Sequence, residues 1–231
     1  MRAVIFDLYE TLVTEYEPNW RDHSIAGALG ISEEACRRAW KTLHTARMIG
    51  EIADFPSALR EMCKLSGVRP EEQVIQRLHR ERVEIKSRPF REVDVGVASM
   101  LRGLHSKGIR LGLITNCSSE EVVAWEGSVF SELISEPVFS FQVGCKKPDR
   151  DIYQIACHRL GVEPEQAVFV GDGGSNELEG AKAVGLRVVW ATWFLDRWPE
   201  WRIKHVEEVS SKFRRCGHAS QLPDIAAGLF E

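Results

Sequence analysis

Short apolar runs that alternate with helical patterns constrain the fold of this chain more than any other feature of its sequence. Beyond Val95, helical patterns that end at glycine are followed by predicted strands at residues 109–114, 167–170 and 187–191. Residues 1–13 add a strand that ends at a loop. Strands that are apolar along their whole length indicate a parallel sheet with helices on both faces. We therefore predict an α/β protein with a doubly wound, Rossmann-like core.

The segment between the first strand and Val95 has a purely helical pattern. Ser32 is a candidate N-cap for a helix that begins at Glu33 and ends near Gly50. Further helices are predicted from Pro56 to Gly67 and from Pro70 to about Ser87, just before Arg88-Pro89. The pattern predicts a helical cap domain, residues 14–91, inserted into a core domain made of residues 1–13 and 92–231.

Composition narrows the classes of function. The 231 residues carry a net charge of −4 without a block of arginine and lysine, so we expect neither nucleic acid nor a membrane as a partner. The six cysteines include no C-x-x-C pair, which argues against a zinc site and is typical of a reducing compartment. We see no signal peptide and expect a cytoplasmic protein, either a monomer or a homodimer, that acts on a small anionic molecule.

Residues able to carry chemistry follow the predicted strands. Asp7 follows the first apolar run, Thr115-Asn116 follows the second, and Gly171-Asp172 follows the third, while Lys147 precedes a proline in a loop. Ligands bind beyond the carboxyl ends of the strands in an open parallel sheet. The order of these groups therefore predicts a single site at one sheet edge.

These residues resemble the four motifs of the haloacid dehalogenase-like (HAD) hydrolase superfamily over essentially the whole chain. The resemblance rests on residues 7–12 (Asp-Leu-Tyr-Glu-Thr-Leu), 113–116 (Leu-Ile-Thr-Asn), 147–149 (Lys-Pro-Asp) and 171–177 (Gly-Asp-Gly-Gly-Ser-Asn-Glu). It implies a helical cap inserted after the first motif. Glu177 stands where aspartate is more usual.

The resemblance also implies catalytic and substrate-binding roles. Asp7 would be the nucleophile that forms a covalent aspartyl intermediate. Thr115 and Asn116 would hold phosphoryl oxygens. Lys147 would neutralise Asp7 and the transferring group.

A magnesium site is implied as well. Oxygen ligands to Mg2+ would come from Asp7, the backbone carbonyl of Tyr9, Asp172 and Glu177. The ion would let an anionic carboxylate and an anionic phosphate approach each other.

Tyr9 matches one activity of the superfamily, whereas the fourth motif matches another. Phosphatases of the superfamily carry an acid–base aspartate at this position, whereas its 2-haloacid dehalogenases carry tyrosine and use no metal. The fourth motif has the spacing of the phosphatases. Without a metal, Asp172 would repel a carboxylate substrate by about 1 kcal/mol at 4 Å in water and by several times more near a protein surface. We therefore predict a Mg2+-dependent phosphatase, with a 2-haloacid dehalogenase as the alternative.

A phosphatase with Tyr9 lacks an evident acid. A phenol with a pKa of about 10 is a poor base at neutral pH, and losing acid–base help costs roughly 10²–10⁴-fold in rate. Three outcomes remain open: substrates with good leaving groups, a substitute acid such as Glu10 or a residue of the cap, or a weakly active binding or regulatory relative.

Arg47 is the candidate for substrate recognition in the cap, because a guanidinium suits carboxylate and phosphate groups. The alternative is an ordinary arginine on an exposed helix surface.

Overall fold

The computed structural model of the protein describes residues 2–15, 25–198, 200, 203 and 212–230. Within these residues, six strands form one sheet in the order β3-β2-β1-β4-β5-β6, and every neighbouring pair is parallel. The strands are β1 (Ala3–Phe6), β2 (Arg110–Thr115), β3 (Glu136–Phe139), β4 (Ala167–Gly171), β5 (Arg187–Ala191) and β6 (Arg214–Cys216). The predicted α/β fold with a Rossmann-like core is confirmed.

The helices of the described residues fall into two groups. The first, called the helical segment below, comprises α1 (Ile25–Leu29), α2 (Glu33–Met48), α3 (Phe55–Leu65) and α4 (Glu72–Arg91). The second accompanies the sheet and comprises α5 (Val95–Ser106), α6 (Val129–Leu133), α7 (Ser140–Val143), α8 (Arg150–Leu160), α9 (Glu177–Val184) and a closing helix (Leu222–Leu229).

The register of the central strands determines where the site lies. Phe6, the last residue of β1, pairs with Leu113 of β2 and with Val170 of β4. The carboxyl ends of these three strands therefore lie side by side. The strand order also reverses at β1, and such a switch point leaves a crevice beyond the strand ends.

Among the residues that the structure describes, the buried apolar side chains form two separate clusters. The larger one surrounds the sheet, and all four residues of β1 are buried in it. The smaller one lies within the helical segment and contains Leu29, Ala39, Phe55, Leu59, Met62, Cys63, Ile75 and Leu78. The predicted boundaries at residues 14 and 91 stay a prediction, which these two clusters support.

The predicted helix ends agree with the structure except near Pro89. Ser32 is the N-cap of α2 and accepts a hydrogen bond from the backbone N–H of Ala35 at 3.1 Å. The expected end of α4 near Ser87 is wrong, because the helix continues through Pro89 to Arg91. Proline removes one hydrogen bond of this last turn. Burial of Pro89 and of Phe90, which joins the main core, offsets that loss.

Two strands were not predicted, and both are at the edges of the sheet. β3 contains Glu136 and Pro137, and β6 reads Arg-Arg-Cys. Neither has the continuous apolar run of a central strand, because an edge strand has fewer neighbours. Among the described helices, none is both long and apolar enough to cross a membrane.

Candidate active site

Asp7 lies immediately beyond β1 and is 6% exposed. Its backbone N–H donates to the carbonyl of Val170 at 2.9 Å, which continues the β1–β4 pairing by one residue. One carboxylate oxygen, Oδ2, accepts a hydrogen bond from the Thr11 hydroxyl at 3.3 Å. The other, Oδ1, accepts from the Lys147 ammonium. The carboxylate is thus oriented by groups from two different loops.

Lys147 is placed beside Asp7 by Asn116. The Asn116 side chain accepts from the backbone N–H of Lys147 at 2.7 Å and donates to its carbonyl at 2.9 Å. Because Asn116 directly follows β2, this pair of bonds ties the lysine loop to the sheet. The side-chain amide is engaged in that role, and substrate contact by Asn116 stays a prediction.

Three buried carboxyl groups converge on the same point. Asp7, Asp172 and Glu177 each offer one oxygen, and these oxygens lie within 4.8 Å of one another. We call this group the acid cluster. The Lys147 ammonium also donates to Glu177, so one lysine bridges two of the three acids. If all three carboxyls are ionised, a single ammonium leaves the cluster with excess negative charge.

Glycines of the fourth motif hold the acid cluster in place. The backbone N–H of Gly174 donates to Asp172 Oδ1 at 3.0 Å, and that of Gly173 donates to Glu177 Oε1 at 3.1 Å. A Cβ atom at Gly171 would collide with the Glu177 carboxylate. The longer glutamate side chain therefore fits here because residue 171 lacks a side chain.

Burial and mutual repulsion control ionisation in the acid cluster. Burial raises the pKa of Asp7, Lys147 lowers it, and Asp172 raises it again. Burial and the negative charge of Asp7 hold the pKa of Glu177 well above its usual value. Burial alone would lower the pKa of Lys147, but the adjacent Asp7 and Glu177 raise it, so this side chain stays charged.

The acid cluster fits a hard divalent cation. Carboxylate oxygens are the ligands that Mg2+ prefers, and such an ion would cancel the repulsion that raises the pKa values of Asp7 and Glu177. The contribution of the Tyr9 carbonyl to such a site stays a prediction.

The Thr115 hydroxyl is a buried donor that bonds to nothing within the described residues. It lies at the end of β2, and the residue is 1% exposed. A buried polar group without a partner costs about 1–3 kcal/mol. Such a cost is expected where a ligand supplies the missing partner, which is the role that the family resemblance implies for Thr115.

The side chain of Tyr9 is engaged away from the acid cluster. Its hydroxyl donates to the backbone carbonyl of Glu121 at 2.6 Å. Burial, together with the nearby charges of Glu121 and Glu15, holds its pKa well above the usual value. Tyr9 is therefore neutral at physiological pH, and its proton is committed to Glu121.

Glu10, a candidate substitute acid, is held by the chain that follows it. Its backbone has a left-handed φ of 62°, and its carboxylate accepts bonds of 2.8 Å from the Thr14 hydroxyl and from the Glu15 N–H. These contacts orient both carboxylate oxygens towards residues 14 and 15.

Arg47 is buried, so its interpretation as an exposed surface arginine is wrong. It is 2% exposed and donates to the Ser118 hydroxyl at 3.1 Å and to Glu120 at 3.3 Å. Its guanidinium lies 3.7 Å from the centre of the Trp40 ring. Burial between this ring and the loop after β2 keeps the side chain from solvent. Binding of substrate by Arg47 stays a prediction.

Two acidic residues of the loop after β2 were not predicted from the sequence to be functional. Glu120 and Glu121 are buried and paired with arginine and lysine from the helical segment. The run Ser-Ser-Glu-Glu at residues 118–121 carries a capping-box pattern that marks the turn. Nothing in that pattern indicates which cations face the acids.

The chain is similar to known proteins of one hydrolase family. The family model described as haloacid dehalogenase-like hydrolase matches residues 1–185. Among curated relatives, a mouse protein described as haloacid dehalogenase-like hydrolase domain-containing protein 3 is 26% identical over 201 residues, 80% of each chain.

Relatives with assigned activities include both chemistries. (S)-2-haloacid dehalogenase 4A of Burkholderia cepacia is 27% identical over 199 residues, 82% of each chain. Glyceraldehyde 3-phosphate phosphatase of Methanopyrus kandleri is 35% identical over 96 residues, 40% of each chain.

Solved structures of both kinds share the fold over 99% of each chain. A 2-haloacid dehalogenase from Pseudomonas syringae pv. Tomato DC3000 superposes with a TM-score of 0.63 at 23% identity. A HAD phosphatase from Thermococcus onnurineus superposes with a TM-score of 0.62 at 22% identity. These structures support the fold but do not distinguish a phosphatase from a dehalogenase, so that distinction depends on the residues of the site.

Proposed function

The chain belongs to the haloacid dehalogenase-like hydrolases, and from that premise we propose that it is a Mg2+-dependent phosphatase of a small phosphorylated molecule. The acid cluster carries this proposal. Asp7, Asp172 and Glu177 bring three oxygens within 4.8 Å in a buried place, with Lys147 as the bridging cation. Three converging carboxylate oxygens suit a divalent cation, whereas in a metal-free reaction the charge of Asp172 would only repel an anionic substrate.

Asp7 is the proposed nucleophile. Its carboxylate oxygen attacks phosphorus, the bond from phosphorus to the ester oxygen breaks, and an aspartyl phosphate remains on the enzyme. Water then attacks phosphorus, which releases phosphate and restores Asp7. When bound, Mg2+ supplies the positive charge that lets the phosphoryl group approach this carboxylate.

Thr115 and Lys147 bind the transferring phosphoryl group in this proposal. The Thr115 hydroxyl would donate to a phosphoryl oxygen and thereby gain the partner that the described part of the chain does not supply. Lys147 would donate to a phosphoryl oxygen while it keeps its bond to Asp7. Both groups stabilise negative charge in a site from which water is excluded.

The leaving group receives little help from Tyr9, because that proton is bonded to the Glu121 carbonyl. Glu10 is likewise turned towards Thr14 and Glu15. The expected substrates are therefore esters whose alcohols are acidic enough to leave without a general acid.

The second candidate is a 2-haloacid dehalogenase. The engagement of the Tyr9 hydroxyl favours it, because displacement of halide by Asp7 needs no acid. The relative from Burkholderia cepacia, matched over 82% of each chain, supports it as well. Asp172 is evidence against it, because its carboxylate would repel the carboxylate of a haloacid in a metal-free site.

Metal dependence separates the two candidates. We expect a panel of phosphomonoesters to release phosphate with Mg2+ and none with excess chelator, and 2-haloacids to release no halide in either condition. Asp7→Asn should abolish turnover, whereas Asp151→Asn, at an exposed carboxylate, should not. Halide release in chelator would overturn the proposal. Binding of phosphate esters without turnover would point to a binding or regulatory relative instead.

A further inference from the structure

A buried group of ions joins the helical segment to the loop that follows β2. The helical segment contributes Arg47 from α2 together with Arg82 and Lys86 from α4, and the loop contributes Glu120 and Glu121. We call these five residues the docking cluster. It is separate in sequence from the acid cluster.

The ion pairs of the docking cluster are short and shielded from solvent, so losing only some of them is unfavourable. Arg82 bonds Glu120 at 3.1 Å and Glu121 at 2.8 Å, and its side chain is 13% exposed. Lys86 lies 3.3 Å from Glu121. Removing one member of a buried pair leaves an uncompensated charge, which is far less favourable than the intact pair. The docking cluster therefore favours either a fully docked helical segment or one that has moved away.

Glu121 faces the docking cluster with its side chain and Tyr9 with its backbone. Its carboxylate binds Arg82 and Lys86, while its carbonyl accepts the Tyr9 hydroxyl at 2.6 Å. The backbone N–H of Ser118 donates to the same carboxylate at 2.9 Å. This capping box makes residues 118–121 a rigid turn, so a shift of the carboxylate moves the carbonyl with it.

Tyr9 connects Glu121 to the loop after β1, which contains Asp7. It lies two residues after Asp7, and Thr11, two residues further on, donates to the Asp7 carboxylate. Lys86 also lies 4.9 Å from the centre of the Tyr9 ring, so the docked helical segment contacts this loop directly. An aspartate at residue 9 would be too short to span the distance that the phenol covers.

The buried site requires such a link. Asp7 is 6% and Lys147 is 2% exposed while the helical segment is docked. Substrate entry therefore needs some of the residues around Asp7 to move. In this inference the helical segment is the part that moves, and Asp7 is aligned again when the segment returns.

We infer that Tyr9 and Glu121 are positioning residues that align Asp7 when the helical segment docks on Glu121. This inference rests on the proposed function, since it takes Asp7 as the nucleophile. It gives Tyr9 a role that needs no proton transfer.

A double-mutant cycle tests the link. We expect Tyr9→Phe, which removes only the hydroxyl, and Glu121→Gln, which weakens docking, each to lower kcat for p-nitrophenyl phosphate about tenfold with KM nearly unchanged. The double variant should be about as slow as the slower single variant, because both changes break the same connection. Arg77→Met, which removes a partly exposed ion pair with Glu81 on the same helix, should leave kcat unchanged. Losses that multiply, or a change confined to KM, would overturn the inference.

Two further measurements test the link if a variant does not fold or if the wild type is inactive. If Glu121→Gln does not fold, Arg82→Lys should retain more kcat than Arg82→Met, and equal losses would contradict the link. If the wild-type protein hydrolyses no phosphate ester, the proposed function fails by itself. Hydrogen exchange then decides the link. Backbone amides of residues 7–13 should exchange faster in Tyr9→Phe than in Arg77→Met, and equal exchange would overturn it.

Discussion

The Lys147 ammonium bonds to the Asp7 carboxylate across 140 residues of sequence. The two side chains meet because Asp7 directly follows β1 and because Asn116, which directly follows β2, holds the lysine loop. The Asn116 side chain makes two hydrogen bonds with the backbone of Lys147. Lys147 also bonds Glu177, so one cation links the nucleophile to the proposed metal site. The reactivity of Asp7 therefore depends on three loops that the parallel sheet brings to one edge.

Removal of the Thr115 hydroxyl should separate activity from stability. Thr115→Val deletes a buried hydroxyl that has no hydrogen-bond partner among the described residues, so the free energy of unfolding should stay unchanged or rise slightly. Phosphatase kcat/KM should fall at least about tenfold, because the phosphoryl group loses a donor. Urea unfolding and steady-state kinetics measure the two quantities.

Thr192 offers the matched control. Its hydroxyl is also buried, but it accepts from Arg215 at 2.9 Å and donates to the Cys216 carbonyl at 3.2 Å. Thr192→Val should destabilise the protein by about 1–3 kcal/mol and leave the activity of the folded protein near normal. The same loss of stability in both variants would contradict the assignment of Thr115.

Asp172→Asn should have opposite effects with and without metal. Without Mg2+ the variant should be at least as stable as the wild type, because it removes a charge that repels Asp7. With Mg2+ the wild type should gain more thermal stability, and the variant should need at least about tenfold more Mg2+ for half-saturation. Asp224→Asn, at an exposed carboxylate, should behave as wild type in a Mg2+ titration followed by thermal unfolding. An unchanged Mg2+ requirement in Asp172→Asn would rule out this residue as a ligand.

Gly50→Ala should hinder docking of the helical segment. Gly50 has φ +78°, and an added Cβ would collide with the Phe141 carbonyl at the start of α7. Gly67, with φ +68° and open space around it, is the matched control. Both substitutions carry a backbone strain of roughly 1–2 kcal/mol, but only Gly50→Ala should also lower kcat/KM. Equal kcat/KM values in the two variants would show that the close approach to Phe141 is irrelevant to turnover.

The ion pairs of Glu121 should make stability depend on pH. Burial opposes ionisation of this carboxyl, but Lys86 and Arg82 outweigh it and lower its pKa to about 2 from an ordinary value of 4.5. A group with a lowered pKa stabilises the fold above its unfolded pKa, and that contribution is lost as pH falls towards the folded value. The free energy of unfolding of the wild type should therefore exceed that of Glu121→Gln by about 3 kcal/mol or more at pH 6.

That difference should narrow as the pH falls from 4.5 towards 2. Titration of the acid cluster affects both proteins alike and cancels in the comparison. Urea unfolding at pH 6, 4 and 3 provides the measurement, and a difference that stays constant with pH would contradict the role of the charge.

The sheet and most of the proposed site could be predicted from the sequence because their signals are local. Asp7 and Asp172 each follow an apolar strand and Thr115 ends one, so the parallel topology alone brings them together. Edge strands β3 and β6 lacked such a signal. The continuation of α4 through Pro89 depends on packing of Phe90 in the main core, which local propensity does not contain.

The partners of Tyr9 and Arg47 could not be predicted for a related reason. Tyr9 bonds a backbone carbonyl 112 residues away, and any residue at position 121 would offer the same acceptor. Arg47 is buried because Trp40 of its own helix covers the guanidinium, while Glu120, 73 residues away, pairs with it. These contacts depend on how the helical segment docks on the core. The sequence pattern of neither part describes that arrangement.

The fate of a solvent oxygen atom tests the central claim most directly. A single turnover in H2(18)O, with enzyme in excess over a phosphomonoester and Mg2+, is followed by mass spectrometry of the peptide that contains Asp7. Attack of water on phosphorus predicts heavy oxygen in the released phosphate and none in Asp7. Heavy oxygen in the Asp7 carboxyl group, from a turnover of a 2-haloacid that proceeds in chelator, would contradict the phosphatase account and establish carbon–halogen chemistry at this site.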